Sequence, residues 1–492
     1  MTTIERNPAC GSEILVAILL GVSVLGGCAT VQREASFPQV QDTVANHLGQ
    51  TVDWNRDGER DQRAQQATRT LLREKLSAEA ALQIALLNNR RLQARFEELG
   101  IAQADLVEAG LLENPVLSAG ALFQDAGTEI ELDIVQNFLG VFTLSARKSI
   151  GRARADQVTL EVSKDVLDLA SEVQGQYYRV VGGAEVLVLA RQVVMASQAA
   201  AELAQRQYTA GNLSKREQSV QQAFYAQTLL DVAQAEAQLD ADREKLNRLM
   251  GLWGANTRWT IPERLPQIPA TLPALDDVER QAIERRLDLA AAKKEAEGLT
   301  QALNLARQYR WLSPLGIGVQ FKRDADGEKS YGPRLELGLP FFNQGPARIA
   351  RLESERKRAE ERVAALAVDI RSEARETRGR LNTLHQSVRH YEKALLPLQQ
   401  TIVTETLKFY NGMLLGVYDL LLASQNQIQT GRQYIAANRD FWLAWTELEH
   451  ALGGRVSPPA ASGTAEPPPK QPTENDTDAP THDPHQHGDK QS

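Results

Sequence analysis

Residues 337–353 read LGLPFFNQGPARIARLE. Leu337, Leu339 and Phe341 alternate with the period of a strand, and Asn343, Gln344, Gly345 and Pro346 form a turn signal. A helix rich in Arg and Glu follows at once, with Arg348 and Arg351 in its opening turns. No segment long enough to hold a catalytic loop separates strand from helix.

Reading outward, the strand belongs to a hairpin over about 314–340. Leu315, Ile317, Val319 and Phe321 alternate with Gly316, Gly318, Gln320 and Lys322. After a turn at Asp324 to Ser330, Leu335, Leu337 and Leu339 alternate with Arg334, Glu336 and Gly338. A helix from about Asp276 to Tyr309 ends before it at Ser313-Pro314. A long helix from Ala347 follows it, breaks near Tyr410, and a last helix runs to about Leu452.

The same order occurs earlier in the chain. From an N-cap at Ser77, Leu82, Ala85, Asn89, Leu92, Phe96 and Leu99 step by three and four, which predicts an amphipathic helix ending near Gly110. Asn114-Pro115 then leads a hairpin over about 115–138, with strict alternation from Ile130 to Ile134. From about Ala155 the helical period returns in Val162, Val166, Leu169, Val173, Tyr177, Val180, Ala184 and Leu187, a coiled-coil seam. Gly182 and Gly183 interrupt it at about 1 kcal/mol each relative to alanine. YTAGNLS at 208–214 and YNGMLLG at 410–416 mark matching breaks. An internal duplication of helix, hairpin, long helix, break and helix is the strongest organisational signal. The first repeat spans 76–250, a proline-rich linker 251–275, and the second repeat 276–452. Residues 28–75 read as an extended, polar N-terminal arm, and 453–492 as a disordered tail containing histidines.

Composition agrees with helices rather than a compact aromatic core: of 492 residues only 5% are aromatic. A net charge of -8 argues against a nucleic-acid surface, which needs clustered cations. No His-Glu-x-x-His, phosphate-cradling glycine loop or Gly-x-Ser-x-Gly occurs, so the chain is read as no enzyme and as needing no cofactor. After Arg6, the apolar run from Ile14 to Leu25 is too short to span a bilayer and has the length of a signal peptide. It ends in Leu25-Gly26-Gly27-Cys28, which resembles a bacterial lipobox. Residues 1–27 are therefore expected to be removed and Cys28 to carry the lipid.

Four strands of eight to ten residues, each apolar on one side, have the length of membrane strands. Four cannot close a barrel, and open edges in lipid leave amides unpaired. Either copies share one barrel or the hairpins stay out of the membrane. A helix of some sixty residues from Ala347 extends about 90 Å and needs partners along its whole length.

The lipobox, the two proline-led hairpins, the Leu339–Gly345 segment feeding a helix with Arg348 and Arg351, and the paired Tyr-led breaks together resemble the TolC-type outer-membrane efflux family, in its lipoprotein-bearing branch. The resemblance implies a mainly α fold with membrane β: a homotrimer whose 12-stranded β-barrel continues as an α-helical barrel through the periplasm. It implies a passive exit duct for small molecules or metal ions, working with a periplasmic adaptor (membrane fusion protein) and an inner-membrane transporter. Localisation would be the bacterial outer membrane, lipid-anchored and extending into the periplasm. A duct for protein secretion, and a lipid-anchored structural coiled-coil protein without a pore, are the alternatives.

At the periplasmic tip the resemblance implies adaptor docking by Tyr208, Gly211, Leu213 and Ser214 in the first repeat and Leu415, Gly416 and Val417 in the second. Glu217 and Asp419 just beyond are candidates for a gate or selectivity ring, or for helix-dipole carboxylates. His482, His485 and His487 in the tail are candidate metal ligands, since imidazole suits Cu(II), Zn and Ni. Three departures stand out. The first strand exit, Asn137 to Lys148, is less regular; Arg286-Leu287-Asp288 stands where Arg-Pro-Asp is usual; and Met413 stands where a glycine is expected.

Overall fold

The computed structural model describes residues 30–55, 58–125, 127–311 and 315–456. Two helices, α1 (Phe37–Leu48) and α2 (Gly58–Leu71), precede the repeats. The first repeat comprises α3 (Ala78–Asn88), α4 (Arg90–Ala109), β1 (Val116–Gln124), β2 (Gly127–Asn137), α5 (Leu139–Thr209) and α6 (Lys215–Met250). The second comprises α7 (Val278–Arg285), α8 (Leu287–Gln308), β3 (Leu315–Arg323), β4 (Lys329–Leu337), α9 (Pro346–His390), a π-helical turn (Tyr391–Leu395), α10 (Leu396–Asn411) and α11 (Val417–Ala451).

The reading of 28–75 as an extended arm is corrected. Phe37, Val40, Val44 and Leu48 recur at helical spacing along α1 and are buried, and α1 packs on α5. Trp54 and Phe96 join Phe37 in an aromatic cluster, with ring centroids 5.2 to 6.3 Å apart. The period is present in the sequence, since Phe37, Val40, Val44 and Leu48 step by three and four, and Pro38 sits in the first turn where a helix tolerates it.

The helix expected to run unbroken to Gly110 is two helices. Asn89 is extended at φ -65° and ψ 109°, and its Oδ1 accepts from the N–H groups of Arg91 and Leu92 at 2.9 and 3.0 Å. It caps the next helix, an effect worth about 1 kcal/mol. Arg286 makes the same break between α7 and α8. Each break receives the end of its own repeat's last helix. A Cβ on Gly251 would stand 2.5 Å from the Asn88 carbonyl oxygen, and one on Gly453 would stand 2.9 Å from that of Arg285. Both glycines have positive φ, 67° and 72°. Close approach and left-handed backbone together require glycine there.

The four strands form one antiparallel sheet in the order β1-β2-β3-β4. Paired residues share a face, so Leu117, Ile134, Val319 and Pro333 make one apolar row, and Ala119, Leu132, Phe321 and Tyr331 the next. Phe123 and Tyr331 are 84% and 80% exposed, which marks that face as unpartnered. The opposite face carries Ser118, Glu131, Asp133, Gln320, Lys322, Arg334 and Glu336.

The first strand exit bends without a loop. Asn137 Oδ1 accepts from the Leu139 N–H at 3.0 Å, Asn137 Nδ2 donates to Glu113 at 2.9 Å, and the Phe138 N–H donates to the Leu315 carbonyl at 2.8 Å. Helix α5 therefore begins at Leu139, well before the expected Ala155. The second exit turns through 338–345. Gly345 adopts φ 73° with its N–H on Asn343 Oδ1 at 2.9 Å, and Pro346 opens α9.

One 18-residue window of α5 is apolar enough to cross a membrane by length and composition. The helix packs on α4, α6, α8 and α11, and 39% of that window is buried within the chain. Gly182 explains its own place in this helix. Arg439 of α11 lies across it, and an added Cβ would meet the Arg439 side chain at 3.1 to 3.3 Å.

Candidate functional site

The two helix breaks share one hydrogen-bond design. In the first, the N–H groups of Ala210, Gly211 and Asn212 donate to the carbonyls of Arg206, Tyr208 and Gln207 at 3.0, 3.0 and 2.9 Å. In the second, Gly412, Met413 and Leu414 donate to Lys408, Tyr410 and Phe409 at 3.0, 3.0 and 2.9 Å. Both turns pass through the left-handed region, at Gly211 with φ 79° and at Met413 with φ 60°. Met413 is the one non-glycine residue of that kind among the described residues.

The turns lie side by side. Leu203, Leu213 and Glu217 of the first hairpin face Val417, Tyr418 and Leu421 of the second across a narrow cleft. Tyr208 stacks under Lys215, whose Nζ is 5.1 Å from the ring centroid. Chemically the two tips differ. The first presents Asn212, Ser214, Lys215 and Arg216; the second presents Met413 and Leu414, 94% and 71% exposed, with Leu415 and Tyr418. The tips stand at the far end of α5 from the sheet, about 105 Å away at 1.5 Å per residue over its 71 residues.

Glu217 and Asp419 occupy equivalent positions and do equivalent local work. Ser214 donates to Glu217 from its N–H at 2.9 Å and from its hydroxyl at 2.6 Å, and the Glu217 N–H returns a bond to Ser214 Oγ at 3.2 Å. This closed capping box holds the Glu217 carboxyl below its ordinary range. The Gly416 N–H donates to Asp419 Oδ2 at 3.2 Å. Helix capping accounts for both carboxylates within one chain.

Among the described residues no group of three or more His, Cys, Asp and Glu could hold a metal ion. Cys28, His482, His485 and His487 lie outside the described residues.

No family model matches the chain. The cobalt-zinc-cadmium resistance protein CzcC of Cupriavidus metallidurans is 22% identical over 387 residues, 77% of this chain and 90% of that protein. The outer membrane channel CmeC of Campylobacter jejuni superposes with a TM-score of 0.67 at 14% identity, covering 77% of this chain and 85% of CmeC. The outer membrane protein VceC of Vibrio cholerae gives 0.64 at 16% identity, covering 77% and 96%. The chain has the TolC-type outer-membrane channel fold.

Within the TolC-type fold, the departures noted in the sequence find local explanations. Leu287 opens α8 where proline would suit the first helical position, and Arg286 holds the bend by side chain instead. Its guanidinium donates to Asp288 at 2.7 and 3.1 Å and to Glu373 at 2.8 Å. Burial opposes charge on Asp288, but the hydrogen bonds from Arg286 prevail and keep its carboxyl below the usual range.

Sequence reading missed the ties between the two hairpins. Arg432 of α11 donates to Asp231 of α6 at 2.8 Å across 201 positions of sequence. On the polar face of the sheet, Arg334 donates to Asp133 at 2.5 Å, although β3 lies between their strands. Alternation placed both residues on that face but carried no sign of the pairing. Gly318 makes it possible. It is the β3 residue paired with Arg334, so no side chain stands on β3 between the two partners, and a Cβ there would stand 2.1 Å from the Ile134 carbonyl oxygen.

Proposed function

We propose that the chain is the outer-membrane channel component of a tripartite efflux system, a passive duct through the outer membrane and periplasm. The observation that carries this is a four-stranded sheet, apolar on one face, polar on the other and open at both edges, whose strand β2 runs directly into a helix about 105 Å long. In lipid, the edges of β1 and β4 require partners, and three copies close twelve strands.

The internal duplication supplies the contacts between copies. Within the chain α5 packs on α8 and α11. Their repeat-related counterparts are α9 with α4 and α10 with α6, pairs that form when one copy meets the next. Helix α10 has no buried residue, and Leu398, Ile402 and Phe409 on it are 58%, 47% and 47% exposed. Leu229 and Leu230 of α6 are exposed as well. These apolar faces fit each other in a homotrimer.

The remaining assignments belong to the same reading. Cys28 carries the lipid anchor. The tip residues Tyr208, Gly211, Leu213, Ser214, Leu415, Gly416 and Val417 dock the periplasmic adaptor, whose inner-membrane transporter supplies energy. Asp419 and Glu217 face the pore mouth while capping their helices. Metal ions are the favoured cargo because the relative CzcC is named for cobalt, zinc and cadmium resistance. The tail histidines His482, His485 and His487 bind such ions.

Purified protein tested in planar lipid bilayers is expected to migrate as a heat-stable trimer and to conduct in discrete steps. A peripheral, non-conducting dimer would instead identify a lipid-anchored structural rod.

A further inference from the structure

The polar face of the sheet carries a charge imbalance that closure on another copy cannot cancel. Glu129, Glu131 and Asp133 of β2, Lys322 of β3, and Arg334 and Glu336 of β4 all lie on that face. Two of these carboxylates are matched. Arg334 is bonded to Asp133, and Lys322 Nζ is 2.9 Å from Glu129. The other two are not. Glu131 takes its hydrogen bond from the neutral amide of Gln320, and Glu336 has no ion-pair partner among the described residues.

A neighbouring copy does not supply the missing cations. The strand that meets β4 is β1, whose sequence VLSAGALFQ holds no charged residue. Apolar rows must meet apolar rows in lipid, so Glu336 joins the face that carries Ser118 and Gly120. A second observation points the same way. Asp133 is 7% exposed at its side chain, yet its Oδ1 has no hydrogen-bond partner. Even the matched pair keeps an unsatisfied acceptor on this face.

We propose that Glu131 and Glu336 make the β-lined section of the duct select for cations. The favoured cargo is then positively charged, hydrated divalent metal ions included. This rests on the duct reading above and deepens it by naming two residues of the β-lined wall that discriminate cargo by charge. The two carboxylates sit on different strands, so three copies distribute them around the whole wall. Their field reaches about 8 Å at physiological salt and about 30 Å at 0.01 M, so the preference strengthens as salt is diluted.

The test is the reversal potential of full-length protein in planar bilayers under a KCl gradient, at low and at high mean concentration. Wild-type channels are expected to prefer K⁺ over Cl⁻, more strongly at low salt. In the Glu131→Gln, Glu336→Gln double variant the low-salt permeability ratio is expected to fall at least about two-fold, with conductance steps retained. If that variant fails to assemble, Ser118→Lys, which adds a cation to the facing strand, must lower the ratio in the same direction. Channels that conduct normally with an unchanged ratio would overturn the selectivity assignment and leave the duct standing. Wild-type protein with no conductance would overturn both.

Discussion

Met413 shows at single-residue scale how a departure from pattern is accommodated. Its backbone occupies the left-handed region that Gly211 occupies in the first repeat, with the same three hydrogen bonds around it. For an L-residue that conformation costs roughly 1–2 kcal/mol. The side chain is 94% exposed, so packing within the chain does not offset the strain. Met413→Gly is expected to steady the second turn by up to about 1 kcal/mol, the gain in backbone freedom of the unfolded chain being subtracted. Gly211→Met is expected to loosen the first turn by a similar amount. Amide hydrogen exchange across 208–214 and 410–416 reads both changes, and equal exchange in all variants would show that the left-handed turn carries no strain. From sequence the missing glycine was visible, but not that the backbone would keep its shape regardless.

At the scale of elements, the two hairpins are equivalent in design and unequal in support. The lower end of α5 buries Val193, Ser197, Ala201 and Ala204, whereas α10 buries no residue and is reached through a π-helical turn and Pro397. Helix α11 is therefore what holds the second hairpin, and Arg432 with Asp231 ties α11 to the first. Burial opposes charge on Asp231, but hydrogen bonds from Gln227 and Arg432 prevail and keep its carboxyl below the ordinary range. With side chains 30% and 25% exposed, the pair is worth on the order of 1 kcal/mol. Arg432→Ala is expected to speed amide exchange through 396–430 while leaving 191–209 unchanged, and Asp231→Ala in that background should add little. Additive effects of the two substitutions would show that the residues act separately. The repeats were legible in the sequence because period and punctuation recur; the tie was not, because its partners are far apart and each looks like an ordinary solvated charge.

For the whole molecule, anchoring and insertion are separable. On the proposed reading, in which the sheet is a third of a membrane barrel and Cys28 carries a lipid, that lipid is an additional tether rather than the means of spanning. Cys28→Ser is expected to abolish incorporation of labelled palmitate yet leave trimers in the outer-membrane fraction. Recovery of the variant only as soluble protein would mean that the acyl chain, and not the sheet, holds the molecule in the membrane. The core supports this division. Phe441 and Trp54 are buried in the helical body, while the sheet shares no buried cluster with them and leaves its apolar face open.

Periodicity is a local property, and it was enough to specify the duplication, the strand–helix alternation, the sidedness of each strand and the positions of both tips. Residues two or four apart decide those features, so the chain displays them without folding. What depended on folding were relations between distant segments: α1 settling on α5 and α2 on α3, Gly182 making room for Arg439, Gly251 and Gly453 closing on the breaks of their own repeats, and Arg334 reaching across β3 to Asp133. Each is a contact whose partners carry no local mark, because close approach and charge pairing are fixed by the packing of whole elements.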